Sequence, residues 1–388
     1  MTGVVIVGSG VAGATAAQTL RADGYTGPVT VVGAEAGHPY RRTALSKDLL
    51  GADLSVERIR LQKPEFWADR DITFVSGVAV TDVDPDARTV TLSDGRSRAY
   101  RALILATGGR PIRPAWLRDD VPSLRTVADA ERIRATITDR GGLVVIGGGL
   151  IGLELAASAA AAGLPVTVLE AGEKVLGRVV PPAVADYVAD LHRARGVQVR
   201  CGARVISADA SGADLDDGTR VTGAVVAALG MAPNVAAAQS AGTLVEPSGI
   251  VVDPCLRTSV DGIYAAGDVA TGGAACGEHW FGAMDQGAAV ARSVVADLDG
   301  RPAPVYDEVP RAWTMQYGVN IQMVGAPTAD GAVAIDGDLA DGSATITVTG
   351  PDGLLGAVTV GRAAAARELR ARIAAGLVFQ HGALGSTV

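Results

Sequence analysis

Two glycine-rich turns, Val7-Gly8-Ser9-Gly10-Val11-Ala12-Gly13 and Ile146-Gly147-Gly148-Gly149-Leu150-Ile151-Gly152, stand far apart in the chain, each between an apolar run and a helix-forming stretch. In such a turn the first glycine permits a tight strand-to-helix reversal. The second leaves no side chain between backbone and pyrophosphate, and the third lets helix and strand pack closely. The unpaired N–H groups and positive dipole end of the helix then favour an anion without any basic side chain. In the first unit a strand from Val4 to Val7 leads into a helix from Ala14 to Leu20, a second strand runs from Val29 to Val32, and Glu35 follows where a ribose-binding carboxylate belongs. In the second, Leu143 to Ile146 leads into Leu153 to Ala162 and Val166 to Leu169, and the acid is Glu170. A lone fingerprint of this kind also serves as a plain connector. Strand, helix and terminal acid at both copies point instead to two dinucleotide sites and to electron passage from one dinucleotide to the other.

Size and composition fit that reading. At 388 residues the chain exceeds what a single core supports, so two or three domains are expected. Fifty glycines and a hydrophobic fraction of 48% suit an α/β protein with close helix–sheet packing. Aromatic residues at 4% and a net charge of -8 argue against nucleic acid as partner. The apolar stretch from Leu143 to Leu169 carries a glycine cluster, Glu154 and Pro165, which suits a buried strand and crossover helix and not a membrane span. The N-terminus enters a strand at once without a signal-peptide pattern, so a cytoplasmic location and no membrane partner are expected. Cys201, Cys255 and Cys276 show no ligand spacing and read as buried free thiols. His38, His192, His279 and His381 are too dispersed for a metal cluster, so no metal is expected.

The second unit interrupts the first. A strand from Ala102 to Ala106 ends in Thr107-Gly108-Gly109-Arg110, and a strand from Val225 to Leu229 ends in Gly230-Met231-Ala232-Pro233-Asn234. These read as the outward and return crossings between domains. Gly262 to Asp268 adds a short strand with an acid at its C-terminal edge, where ligands of parallel sheets lie. Past Pro310, Ala332 to Ile335, Ala344 to Val348 and Leu355 to Val360 alternate like antiparallel strands, and a helix from Ala363 to Ala375 follows. The expected class is α/β, with two Rossmann-like dinucleotide-binding domains, one inserted in the other, plus a C-terminal α+β domain. The boundaries are 1–111 with 232–304, 112–231, and 305–388.

With these elements placed, the chain resembles the FAD- and NADH-dependent ferredoxin reductases of the glutathione-reductase structural class. The resemblance runs nearly end to end, through the N-terminal fingerprint, Pro39 to Lys47, Ala106-Thr107-Gly108, Gly147 to Glu154, Tyr264 to Asp268, Glu278-His279-Trp280 and Trp313 to Gly318. It implies that Gly8, Gly10, Ala12, Gly13, Glu35, Arg42, Val80, Thr107, Gly108, Arg110, Asp268, Glu278, His279 and Trp280 bind FAD. Glu35 would hold the adenosine ribose, and Asp268 the ribityl hydroxyls. It implies that Gly147, Gly149, Ile151, Gly152, Glu170 and Gly230 bind the nicotinamide coenzyme. Lys47 is placed beside flavin N5 with Glu154 as its ion-pair partner, and Trp313 lines the flavin cavity; these three are the candidate catalytic residues. The helix beginning near Phe281 would direct its positive end at the flavin pyrimidine.

Glu170 accepts from ribose hydroxyls and repels a 2′-phosphate, which favours NADH over NADPH. Lys174 and Arg178 downstream are the residues that would receive such a phosphate. No cysteine precedes Cys201, so the early redox cysteine of disulfide or peroxide reductases is missing. Electrons would leave the flavin singly, to a ferredoxin-type iron–sulfur carrier serving a P450 or a dioxygenase. Arg41, Arg42, Arg110, Arg113, Arg311, Arg367, Arg370 and Arg372 are candidates for its basic docking patch. Two departures from the family pattern keep open a direct reaction with a small organic substrate or oxygen. Thr43 and Ala44 replace two prolines, and Ala312-Trp313-Thr314-Met315-Gln316 stands where the family reads Phe-Trp-Ser-Asp-Gln. A third class, a signalling flavoprotein resembling apoptosis-inducing factor, would turn over slowly and hold a stable charge-transfer complex. The chain is expected to be a monomer or homodimer.

Overall fold

The computed structural model describes residues 2–47, 49–275 and 279–384, with side chains described through residue 376. Glu278 and Cys276 lie outside the described residues, as does the side chain of His381. The chain forms two compact units, each assembled from separate segments: 1–41, 56–110 and 231–310 in the first, and 42–55, 111–230 and 311–388 in the second.

The first unit is built on a parallel sheet of strands Ile72–Ser76, Val29–Gly33, Gly3–Val7, Ser97–Leu105 and Ile263–Ala265, in that spatial order. Gly3–Val7 is buried along its whole length, the pattern of a strand covered on both faces. Ser97–Leu105 plays two parts. Its first residues pair antiparallel with Thr89–Leu92, while its buried end pairs parallel with Gly3–Val7 and Ile263–Ala265. The helix Val11–Ala22 starts at the glycine turn, three residues before the expected Ala14, because the fingerprint residues Ala12 and Gly13 are themselves its first turn. It packs against the long helix Trp280–Leu298, and only glycine fits at the crossing: a Cβ on Gly287 would lie 2.4 Å from the Ala12 carbonyl oxygen.

In the second unit the parallel sheet runs Gln198–Arg200, Val166–Leu169, Leu143–Ile146, Ala224–Ala227. The last strand ends at Ala227, short of the expected Leu229, and Met231–Pro233 instead forms a separate strand paired with Gly109–Pro111. The helix Leu150–Ala161 again begins inside the fingerprint, and its residues 152–159 are buried without a break. The C-terminal segment is a five-stranded antiparallel sheet, ordered Arg311–Gln316, Val319–Gly325, Gly353–Val360, Ser343–Gly350, Ala332–Asp338. Its first two strands went unread in the sequence, where this stretch registered as a motif and not as alternation. The closing helix runs Ala363–Leu384, beyond the expected Ala375. Among the described residues no helix is long and apolar enough to cross a membrane, and no group of His, Cys, Asp and Glu is set to hold a metal ion.

Candidate active site

The two glycine turns have nearly the same geometry. Gly8 and Gly147 adopt φ of 116° and 109°, in the region open to glycine. A Cβ there would meet the Ala106 carbonyl oxygen at 2.1 Å and that of Ala228 at 2.2 Å. A Cβ on Gly13 or Gly152 would strike the carbonyl oxygen of Gly8 or Gly147 at 2.0 and 2.1 Å, so the third glycine sets how closely the helix approaches its strand. The middle glycines behave differently. Gly10 and Gly149 are extended, and a Cβ on either would meet nothing within 4 Å. Each is also the N-cap of its helix with no side-chain capping bond, which leaves backbone N–H groups turned to open space. Bare backbone, free donors and room in front of them fit a diphosphate at both turns.

In the first unit Thr107, Gly33 and Gly267 lie against the turn. Gly33 lies against the Ser9 hydroxyl, and the Tyr40 hydroxyl donates to Glu35 just beyond. The loop entering Val80–Asp84 is tied there, with Gly77 N–H donating to Glu35 O at 2.9 Å and Val78 N–H to Gly33 O at 3.1 Å. Thr107 adjoins Gly8; its hydroxyl donates to Asn234 O at 2.7 Å, and Gly108 O accepts from Asn234 N–H. Arg110 donates to Pro233 O at 3.2 Å. Gly267, beside Asp268, approaches Ala12, and its N–H donates to the buried Gln286 carbonyl at 2.8 Å. Trp280 opens the long helix with His279 as its N-cap.

In the second unit Glu170 closes the coenzyme turn, accepting from Gly148 N–H and Gly172 N–H, each at 2.7 Å. Ile151 stands partly exposed on the first helical turn, and Gly230 has φ 92° with Arg178 near it. Lys174 is engaged by Asp186, so of the two residues able to receive a 2′-phosphate one already has an anionic partner. Arg42 donates to Arg125 O at 2.8 Å.

The same unit brings together Lys47, Glu154 and Trp313. Glu154 is 3% exposed in an apolar helix, where an unpaired carboxylate would cost several kcal/mol (about 3–5). Lys47 Nζ donates to Glu154 Oε1 at 2.6 Å, Thr314 Oγ1 donates to the same oxygen at 2.7 Å, and the Ser46 hydroxyl donates to Oε2. The Lys47 ammonium also lies 4.7 Å from the centroid of the Trp313 ring, within cation–π range. The short helix carrying Lys47 is held in place by Arg134, which donates to the carbonyls of Leu49 and Ala52, and by Leu50 N–H donating to Ser158 Oγ at 3.1 Å. Cys201 and Cys255 are half-buried, not buried as the sequence suggested, and burial together with nearby Asp253 raises the Cys255 thiol above its ordinary value.

Sequence reasoning missed what stands behind Thr314. Along Arg311–Gln316 the buried face carries Ala312, Thr314 and Gln316. Polar residues on the inward side of an alternating strand were the available signal. His192 sits on the apolar face of Pro182–Arg193, in step with Val184, Val188 and Ala189, and is 0% exposed. Gln316 joins the two, with Nε2 donating to Thr314 Oγ1 at 2.8 Å and Oε1 lying 3.1 Å from His192 Nε2. Burial pushes His192 down to about 4 from 6.5, so it is neutral near pH 7. Tyr317 O–H lies 3.1 Å from His192 Nδ1, and burial raises the phenol to about 12.

The chain matches the family model described as pyridine nucleotide-disulphide oxidoreductase over residues 2–287, and that described as reductase C-terminal over residues 311–387. It is 36% identical over 380 residues to the putidaredoxin reductase of Pseudomonas putida, covering 92% of this chain and 88% of the relative. It is 37% identical over 393 residues to the ferredoxin–NAD(+) reductase component of the anthranilate 1,2-dioxygenase system of Burkholderia cepacia, covering 96% and 94%. Among solved structures it is similar to that of the covalent putidaredoxin reductase–putidaredoxin complex, with TM-score 0.88, 34% identity, and coverage of 96% of this chain and 93% of that one.

Proposed function

The chain belongs to the pyridine nucleotide-disulphide oxidoreductase family, and from that membership we propose that it is an FAD-containing, NADH-dependent ferredoxin reductase. Relatives named as ferredoxin–NAD(+) reductase components of dioxygenase systems, and a solved structure named as the ferredoxin reductase of a CYP system, support the partner class, an iron–sulfur carrier feeding a P450 or a dioxygenase. The observation that carries the reading is the paired open glycine turn, each backed by an uncapped helix and a terminal carboxylate. One turn alone would serve a dehydrogenase with an external substrate, whereas two serve a coenzyme and a prosthetic group.

In this reading residues 1–111 and 232–304 hold FAD. Gly8, Gly10, Ala12 and Gly13 face the diphosphate, Glu35 the adenosine ribose and Asp268 the ribityl chain; Val80, Thr107, Gly108, Arg110, His279 and Trp280 complete the cradle. Residues 112–231 hold NADH through Gly147, Gly149, Ile151, Gly152 and Gly230, with Glu170 on the ribose. Bound FAD supplies an acceptor that takes a hydride and releases electrons one at a time. Lys47, held by Glu154 and Trp313, is the fixed positive charge that the family resemblance would set beside the flavin. No cysteine lies before residue 201, so no thiol relay competes for them. A cytoplasmic monomer or homodimer completes the proposal.

The test mixes the purified yellow protein with NADH or NADPH, oxygen, and an acidic [2Fe–2S] ferredoxin coupled to a cytochrome dye. Fast dye reduction that requires ferredoxin and prefers NADH is the expected result. Fast turnover without any carrier would replace this reading with direct reduction of a small molecule, and sluggish reduction throughout with a signalling flavoprotein.

A further inference from the structure

A single charge dictates the direction of an entire hydrogen-bonded chain in the second unit. The Glu154 oxygen that pairs with the Lys47 ammonium accepts, so the Thr314 hydroxyl points its proton at Oε1. The Thr314 oxygen then has only lone pairs for Gln316, which therefore presents its NH2 to Thr314 and its carbonyl to His192. A carbonyl facing Nε2 requires that nitrogen to carry the proton. Neutral His192 is thereby left with a bare Nδ1, which the Tyr317 hydroxyl fills as donor. Every bond from Tyr317 through His192, Gln316 and Thr314 points the same way and ends on the oxygen that also receives Lys47. Bonds aligned in this manner polarise one another, and burial of Glu154, His192, Thr314 and Gln316 keeps water from breaking the order. The amide in the middle makes the chain a poor proton conductor, since passing a proton through Gln316 would require its imidic-acid form. It is built to hold, and its outer end is closed by the Arg195 guanidinium stacked 4.3 Å from the Tyr317 ring centroid.

We propose that Thr314, Gln316 and His192 are positioning residues whose one-way relay fixes the Glu154 carboxylate and, through it, the Lys47 ammonium. The inference rests on the reading that the Lys47–Glu154 pair serves electron transfer from NADH to FAD, and it adds three side chains that touch neither coenzyme in that reading. The family pattern has serine where Thr314 stands, so the hydroxyl that the relay needs is kept, and the departure at Met315 falls on the opposite face of the strand.

Two measurements on the FAD-loaded protein test this. Nitrogen-15 NMR of the imidazoles, taken without NADH, should show His192 as a single neutral tautomer protonated at Nε2. In E154Q the new amide can donate to Thr314, which frees the chain to reverse, so His192 should become a mixture of tautomers. A mixed His192 in the native protein, or an unchanged one in E154Q, overturns the proposal. The second measurement is stopped-flow reduction of the flavin by NADH. T314V keeps the shape and deletes the donor, and should lower the limiting rate about tenfold while the Kd for NADH stays within about twofold; T314S should recover the native rate within about twofold. A native rate in T314V overturns the relay. Native protein that takes no electrons from NADH overturns the functional reading instead, and the tautomer measurement then decides the relay alone.

Discussion

The two glycine turns superpose in their logic residue for residue, Gly8 with Gly147, Gly10 with Gly149 and Gly13 with Gly152, and they part company two residues later. In the first unit that place is taken by Thr15, half-buried on an alanine-rich helix that packs against another helix. In the second it is Glu154, buried and receiving three side-chain donors. The same strand-turn-helix device is used once as a plain cradle and once as a cradle that also carries a reactive charge. Nucleotide binding needs only backbone at the turn, so the rest of the helix is free to diverge.

The largest effect comes from blocking either middle glycine. Gly10→Val and Gly149→Val place a side chain in open space at an extended backbone position, so neither should disturb the nucleotide-free fold. G10V should purify colourless, while G149V should stay yellow and lose about a hundredfold in NADH affinity by titration calorimetry. If both variants lose the same nucleotide, the assignment of one turn to each coenzyme fails.

The second prediction bears on the divergence point. E154Q unbalances a buried ion pair and should slow flavin reduction by about 50-fold in stopped flow, whereas T15V in the first unit should stay within about twofold. Equal effects would erase the distinction between the two helices.

A third difference is pH. His192 is depressed in the fold to about 4 from 6.5, so between those values the unfolded chain binds a proton that the folded chain refuses. Its contribution to stability is whole above pH 6.5 and is lost as pH falls toward 4, about 3 kcal/mol in all. The described histidines of the first unit, His38 and His279, are only half-buried. Hydrogen exchange should therefore show Pro182–Arg193 loosening before the first unit as pH falls through this range, and H192Q should flatten the pH slope of unfolding. Loosening in both units at one pH would contradict this.

The smallest effect concerns coenzyme choice. Glu170→Ala removes the acceptor at the end of Val166–Leu169 and should reduce the preference for NADH over NADPH by about tenfold in kcat/KM. Glu35→Ala should leave that preference untouched. Unchanged selectivity in E170A would remove the role given to this acid.

Both parallel cores were legible in the sequence because their signals are local: an apolar run, a glycine turn, a helix and an acid within some thirty residues. Lys47 and Glu154 were reachable through family resemblance, though more than a hundred positions separate them in the chain. The strand Arg311–Gln316 stayed hidden because Thr314 and Gln316 put polar residues on its buried face and blur the apolar–polar alternation that marks a strand, whereas Asn320-Ile321-Gln322-Met323 in Val319–Gly325 does alternate and was overlooked. His192 stayed hidden for the opposite reason. A histidine on an apolar helical face reads as a packed core residue, and only the fold shows that its partner Gln316 arrives from a sheet 124 residues away.

An anaerobic titration of the purified protein, followed through the flavin absorption bands, tests the central claim that the chain holds two different dinucleotides at once. The expected result is one FAD per chain, bleached by one equivalent of NADH and restored by two equivalents of oxidised [2Fe–2S] ferredoxin. A protein that stays colourless after refolding with excess FAD, or a flavin that NADH leaves oxidised, would contradict it.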